Sequence, residues 1–387
     1  MRGWIAVLAL LTAFPPLSID MILPALPALA RTWAEPFSRV NLVLISFFLT
    51  YAVSLLVYGP LSDRYGRRRP LMLGLAVYII SSIGSGFSEN LPVLVAFRML
   101  QAAGAAAASS MAMAMSKDLF SGKEREQVLA TIGIIMALAP MLAPTLGGWT
   151  LAFLSWRWIF YTQAAIGVFA MLGVVFMPET NTTRSAVSLP RAAHAYARLL
   201  CNAPYMLLTL LMAACLFPLY GYIAVSSEIF INGFGLSEQT FGYFFAFTAL
   251  CLMAGSFGCL RLVKTFDSTT LITLGFSGAI LGSIGLLAGL GHGPWGFALP
   301  MAMIAFSCGL SRPSSNNLIL EQVRQDAGAA SSLLLFTFFL LGAGAMQIAS
   351  LSWESRQAAL GVMGVLSGTV SLVGWLVVRK RFALRRE

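Results

Sequence analysis

The stretch Gly59-Pro60-Leu61-Ser62-Asp63-Arg64-Tyr65-Gly66-Arg67-Arg68-Arg69-Pro70 stands between two long apolar runs. Five of the chain's charged residues fall within the seven positions 63–69. So polar a segment cannot rest in hydrocarbon, where no water satisfies backbone or side-chain groups, so it reads as a short loop at a membrane surface. Its four arginines assign it to the cytoplasmic surface, because positive charge is retained on that side.

Working outward, the composition supports a membrane setting. The 387 residues are 58% hydrophobic and 10% charged, against about 25% charged in an ordinary globular domain. A soluble chain of this length could not hide that much apolar surface. The net charge of +10 would suggest nucleic-acid binding in a soluble protein. Here the cations are dispersed over loops, with no basic stripe interleaved with aromatics, so no nucleic-acid partner is expected.

A helix crosses the bilayer in roughly 20 apolar residues. Twelve such spans are predicted, over about 4–28, 40–61, 71–88, 91–115, 127–152, 156–177, 204–227, 238–262, 269–290, 295–317, 328–350 and 355–378. With the N-terminus inside, 20 of the 25 Lys and Arg residues fall in cytoplasmic segments. Four face outward (Arg31, Arg39, Arg157 and Arg356), and Arg98 alone falls inside a span. That asymmetry puts both termini in the cytoplasm. Arg312, beside Pro313 near the inner end of the tenth span, is expected to be a loop or snorkelling cation.

The expected fold class is an all-α polytopic membrane protein of two six-helix bundles around a central cavity. The bundles are residues 1–178 and 204–387, joined by a cytoplasmic linker, 179–203, rich in Ser, Thr, Arg and Pro. Halves of similar length and hydropathy suggest parallel repeats. The first thirty residues are expected to form a span rather than a cleaved leader, since Asp20 and several prolines interrupt them.

Asp20 and Arg98 are charges inside spans. At ~1.5 Å rise per residue, Asp20 lies ~24 Å from the cytoplasmic face and Arg98 ~10 Å from the outer face. In a core ~30 Å thick, these are similar depths. Intramembrane charges are costly unless paired or hydrated, so the two are expected to share a polar cavity and to interact directly or through water. Two readings stand: a carboxyl that takes up and releases a proton, or a static ion pair.

Glu228, near the outer end of the seventh span, is either a water-exposed interfacial residue or a cavity carboxylate. Tyr51, Gln101, Tyr220, Tyr222 and Phe247 are candidate cavity residues, with packing or interfacial anchoring as the alternative for the aromatics. Pro140 and Pro144 share a helix face and are followed by Gly147 and Gly148, a pattern for a bent, closely packed helix. The five cysteines form no C-x-x-C pair and the two histidines lie far apart, so no metal site is expected. No P-loop, H-E-x-x-H or G-x-S-x-G motif is present, so neither an ATP-driven nor an enzymatic function is expected.

At this point the chain resembles the major facilitator superfamily. Gly59-Pro-Leu-Ser-Asp63-Arg64-Tyr-Gly66-Arg67-Arg68 is similar to the superfamily's signature between spans 2 and 3. Arg98-Met-Leu-Gln101-Ala-Ala-Gly104 resembles its span-4 arginine motif, with Ala102 replacing a glycine. Ala143-Pro144-Thr-Leu-Gly147-Gly148 resembles the antiporter motif. Ser18-Ile-Asp20-Met-Ile-Leu-Pro24-Ala-Leu-Pro27 and Ala327-Gly328-Ala-Ala-Ser331-Ser332-Leu333 resemble segments of the Bcr/CflA drug exporters.

The resemblance implies drug:proton antiport by alternating access in the bacterial inner membrane, by a monomer. The proton gradient would be the energy source and no cofactor is needed. Asp20 would be the coupling carboxylate and Arg98 its partner. Gly59, Asp63, Arg64, Gly66 and Arg67 would form a conformational latch with Asp118, and Pro140, Pro144, Gly147 and Gly148 would seal the cavity. The bilayer, protons and a small molecule are the implied partners. Export of a native metabolite by the same machinery is the alternative reading, and a channel or sensor a more distant one.

Overall fold

The computed structural model describes residues 2–181, 189–289, 292–323 and 325–383, without the side chains of 2, 3, 126, 189–191 and 380–383. Arg184, Arg324, Arg385 and Arg386, with the side chains of Arg2, Arg191, Lys380 and Arg381, all counted in the charge tally, lie outside the described residues. Among those residues the secondary structure is entirely helical.

Among the described residues, twelve helical stretches are long and apolar enough to cross a membrane. Spans 1–6 are Trp4–Trp33, Phe37–Tyr65, Arg68–Gly86, Leu91–Leu119, Gly122–Phe153 and Arg157–Val175. Spans 7–12 are Ala203–Gly233, Glu238–Leu262, Ser268–Ala288, Gly293–Glu321, Ala327–Ala349 and Arg356–Arg379. Several run past their predicted ends, because the last helical turns carry polar residues that hydropathy discards. Arg312, expected in a loop or snorkelling, is half-buried inside the helix of span 10.

The chain divides into two compact units: residues 1–196 with 238–242, and residues 197–237 with 243–387. The division falls within the predicted linker. That segment is not extended throughout: it contains a helix, Leu189–Leu200, with a strongly amphipathic pattern.

Local sequence explains where helices begin and break. Asn90 and Asn202 each accept a hydrogen bond from the backbone N–H three residues on, Val93 at 3.0 Å and Tyr205 at 3.2 Å. Each is followed two positions later by a proline, whose missing N–H costs nothing in a first turn. Span 1 breaks at Asp20. Its helix ends there, a tight 3-10 turn covers Leu23–Ala25, and a second helix runs Leu26–Trp33. Pro24 is the residue whose N–H would have bonded the Asp20 carbonyl, so the ladder cannot continue through this point. The Met21 N–H still reaches the Leu17 carbonyl, but at a stretched 3.4 Å.

In the first unit, small residues bring spans 3 and 4 together. A Cβ on Gly104 would stand 2.5 Å from the Gly74 carbonyl oxygen and 2.7 Å from the Tyr78 nitrogen. Ala102, Ala105, Ala106 and Ala108 of span 4 are fully buried. Such surfaces let helices approach closely in a bilayer, where dispersion rather than the hydrophobic effect drives association. Arg98, Gln101 and Ala105 follow at helical spacing, so the close contact turns both polar side chains inward.

The second unit is packed differently, around an aromatic cluster. Phe230 stacks on Phe244 at 4.8 Å and meets Phe297 edge-on at 5.2 Å, and Tyr222 stacks on Phe245 at 5.4 Å. The Trp375 indole N–H donates to Thr273 Oγ1 at 2.9 Å, which satisfies the one polar atom of a buried ring.

Candidate functional site

The first unit buries Arg98 completely. Its Nη1 donates to Gln101 Oε1 at 2.6 Å and its Nε to the Val43 carbonyl at 3.4 Å. The guanidinium carbon stands 4.4 Å from the Phe47 ring centroid and 6.0 Å from that of Phe160. A desolvated cation between aromatic faces gains on the order of 2 kcal/mol from them. Nη2 has no hydrogen-bond partner among the described residues. A buried donor left so is expensive.

Asp20, 5% exposed, sits at the break in span 1. Among the described residues no ion pair includes it, so Asp20 and Arg98 do not form a direct bridge. Polar groups fill the space around them instead. Ser18 hydrogen-bonds Tyr78 at 2.8 Å. Gln101 Nε2 donates to Ser82 Oγ at 2.7 Å and to Gln163 Oε1 at 2.8 Å. Gln163 Nε2 in turn donates to the Leu17 carbonyl at 3.0 Å. Gln163 does not stand out in the sequence. A single amide in an apolar run gives no signal beyond its own polarity.

At the junction of spans 2 and 3, one arginine organises the loop. Arg67 Nη1 meets Asp63 Oδ1 at 2.6 Å and Arg67 Nε meets Asp118 Oδ2 at 3.2 Å. The Gly59 carbonyl accepts from Ser62 Oγ at 2.8 Å. Arg64 stands apart: it is exposed and lies over the neighbouring Tyr65 ring at 5.3 Å.

The loop is also held by a carboxylate from elsewhere in the chain that the sequence does not point to. Glu179, just beyond span 6, accepts backbone N–H groups from Arg67 at 2.8 Å, Thr180 at 3.0 Å, Asn181 at 3.1 Å and Arg68 at 3.2 Å. It therefore caps the N-terminus of span 3, where a helix dipole favours an anion. Burial alone would push its carboxyl up, but the four N–H donors outweigh that and hold it below its ordinary value. Thr180 Oγ1 adds a bond to Asp118 Oδ2 at 3.2 Å. Gly66 is required beneath this cap. Its φ of +88° and ψ of 169° are accessible essentially to glycine alone, and a Cβ would overlap the Glu179 carboxylate.

Pro140 and Pro144 lie inside the unbroken helix of span 5, and Pro144 is buried. Gly147 packs so closely on the Met21 carbonyl, one residue from Asp20, that a Cβ has no room. Gly148 lies against the first turn of span 8, which groups with this unit, and a Cβ there would stand 2.5 Å from the Glu238 carbonyl oxygen. Thr145 Oγ1 bonds the Gly242 carbonyl at 3.4 Å in the same seam.

The remaining candidates are dispersed. Tyr51 is buried in the first unit, bonded to Ser109 at 2.8 Å and stacked on Phe47 at 6.1 Å. In the second unit Tyr222 is core, its hydroxyl on Thr248 at 3.2 Å. Tyr220 packs over Gly342, and Phe247 is half-buried against Trp295 at 5.8 Å. Glu228 is half-buried, its side chain 17% accessible. It begins a widened π-helical turn, Glu228–Gly233, accepts from Asn232 at 2.7 Å and faces Arg356 at 3.6 Å.

Twelve membrane-length helices among the described residues, with a carboxylate and a guanidinium buried in the first unit, define a polytopic membrane protein. The chain belongs to the Major Facilitator Superfamily, whose sequence model matches residues 8–346. It is 29% identical to the bicyclomycin resistance protein homolog of Haemophilus influenzae over 372 residues, 93% of this chain and 92% of the relative. It is 27% identical to multidrug resistance protein D of Escherichia coli, covering 97% of this chain and 95% of the relative. The fold is similar to that of a D-xylose-proton symporter, with a TM-score of 0.76, 17% identity, and coverage of 96% and 97% of the two chains.

Proposed function

We propose that the chain exports small lipophilic or amphipathic compounds across the bacterial inner membrane in exchange for protons, by alternating access. It acts as a monomer with both termini in the cytoplasm. The observation that carries this reading is Asp20. It is a buried carboxylate at the break of a membrane helix, held by no ion pair among the described residues, in a bundle that also buries Arg98. A static structural bridge has no reason to leave Arg98 Nη2 without an acceptor. A carboxyl that alternates between neutral and ionised forms does, because its attraction to the guanidinium changes in each cycle.

One further observation supports drugs as the exported class. The relatives are named for resistance to bicyclomycin and to multiple drugs.

The test is efflux of bicyclomycin and of ethidium, a lipophilic cation, from cells lacking their own exporters, with and without a proton uncoupler. Uncoupler-sensitive efflux that falls at least tenfold in Asp20→Asn is the expected result. Efflux by Asp20→Asn that still follows the proton gradient at the wild-type rate overturns the assignment of Asp20. If neither compound is moved while the protein remains intact in the membrane, export of a native metabolite becomes the better reading.

A further inference from the structure

A chain of hydrogen bonds runs from Arg98 through two buried side-chain amides to the main-chain carbonyl of Leu17, three residues before Asp20. Arg98 Nη1 donates to the Gln101 carbonyl at 2.6 Å, and Gln101 Nε2 donates to the Gln163 carbonyl at 2.8 Å. Gln163 Nε2 then donates to the Leu17 main-chain carbonyl at 3.0 Å. Arg98, Gln101 and Gln163 are all fully buried. Every bond in the chain points the same way, from cation to carbonyl. Each donation withdraws electron density from one amide and so strengthens the next, as in other cooperative hydrogen-bond chains.

The far end of the line is not an ordinary helix carbonyl. Leu17 lies in the last turn before span 1 breaks, and its regular partner, the Met21 N–H, is stretched to 3.4 Å. Carbonyls at a helix C-terminus carry uncompensated negative charge. Asp20 is three residues further on and shares that turn. Unless the Leu17 oxygen is satisfied, it adds to the negative potential at Asp20.

We propose that Gln163 is a positioning residue for proton coupling. Through Gln101 it extends the Arg98 charge to the Leu17 carbonyl and so favours the ionised form of Asp20, with no direct contact between the two charges. This rests on Asp20 being the proton carrier. The relay allows Asp20 to release its proton without first collapsing onto Arg98, which leaves Nη2 available during the cycle.

Other groups around Asp20 do not supply this effect. Apart from Arg68, Arg69, Lys117 and Asp118 at the helix ends, the titratable groups of spans 3 and 4 are Tyr78, bonded to Ser18, and Arg98. Span 5 has no titratable residue between Gln127 and Phe153. On span 6 the candidates are Arg157, stacked on Trp156 at 4.5 Å, and Tyr161, against Phe87 at 5.7 Å. Both are engaged elsewhere.

The test reads Asp20 directly and needs no substrate. Purified full-length protein in lipid is titrated by infrared spectroscopy, and the protonated carboxyl band lost in Asp20→Asn is assigned to Asp20. In Gln163→Met the midpoint of that band shifts upward by about half to one pH unit, the equivalent of one lost hydrogen bond. Gln163→Asn keeps the amide but is too short to span both partners. It shifts the midpoint in the same direction and serves should the apolar variant fail to fold. Ser82→Ala removes a side contact of Gln101 and leaves the line intact, so its midpoint stays at the wild-type value. An unmoved midpoint in both Gln163 variants, or an equal shift in Ser82→Ala, overturns the relay while leaving Asp20 as proton carrier. Absence of any Asp20 band that responds to pH overturns the proton-carrier reading and the relay with it.

Discussion

The Glu179 carboxylate closes over Gly66 and accepts the Arg67 N–H at 2.8 Å, so the end of span 6 fixes the turn between spans 2 and 3. The contact joins residues 112 positions apart. It sets the N-terminus of span 3 and leaves the Arg67 side chain to divide between Asp63 and Asp118. The charged loop is therefore held from four elements: the two helices it joins, span 4 through Asp118, and the segment after span 6.

Gly66→Ala meets two penalties at once. Its backbone enters a region that side chains avoid, at about 1–3 kcal/mol, and its methyl displaces the Glu179 carboxylate. The expected result is a lower apparent melting temperature of the purified protein, with reduced transport. A melting temperature equal to wild type would show that the turn relaxes without loss.

Glu179 also makes stability depend on pH with a definite sign. Its folded carboxyl lies below its ordinary value. The stabilisation is therefore fully present above the ordinary carboxylate range and is lost as pH falls through the lowered folded value. Glu179→Gln removes the charge but keeps an amide oxygen as acceptor. Its melting temperature is expected below wild type at neutral pH, with the gap closing under acid. A gap that persists or widens in acid contradicts the assignment.

Arg98→Lys retains the charge and loses the geometry. An ammonium cannot donate in plane to both Gln101 and Val43 while lying flat between Phe47 and Phe160. Transport is expected to fall at least tenfold, with protein yield in the membrane little changed. Wild-type transport by the lysine variant would mean that only the charge matters.

What is legible in the sequence follows from what a bilayer demands. Twelve spans can be read because each needs a long apolar run, and Asp63, Arg64 and Arg67 because charge in a short loop is conspicuous. Helical rise gives Asp20 and Arg98 a common depth, but depth carries no azimuth. Between them stands a line of amides whose middle member, Gln163, leaves no pattern in an apolar helix. Glu179 is hidden for a different reason: a cap on another helix's N-terminus depends on tertiary approach, and its own neighbours, Pro178 and Thr180, read as linker. Hydropathy places Glu228 at the outer end of span 7, but its pairing with Arg356 joins two spans far apart in sequence.

Span 5 provides an internal control on close packing. Gly147 has no space for a Cβ, because the Met21 carbonyl of span 1 lies against it, beside the break at Asp20. Gly133, on the same helix, has nothing within 4 Å of the place a methyl would take. Gly133→Ala should leave transport unchanged and raise stability by about 0.5–1 kcal/mol, the ordinary gain of alanine over glycine inside a helix. Gly147→Ala should instead force spans 1 and 5 apart beside the break at Asp20. It is expected to lower both the melting temperature and uncoupler-sensitive efflux, the latter by at least tenfold. Measured side by side, the two variants separate a packing requirement at Gly147 from a general effect of helix propensity, since propensity alone predicts that both behave alike.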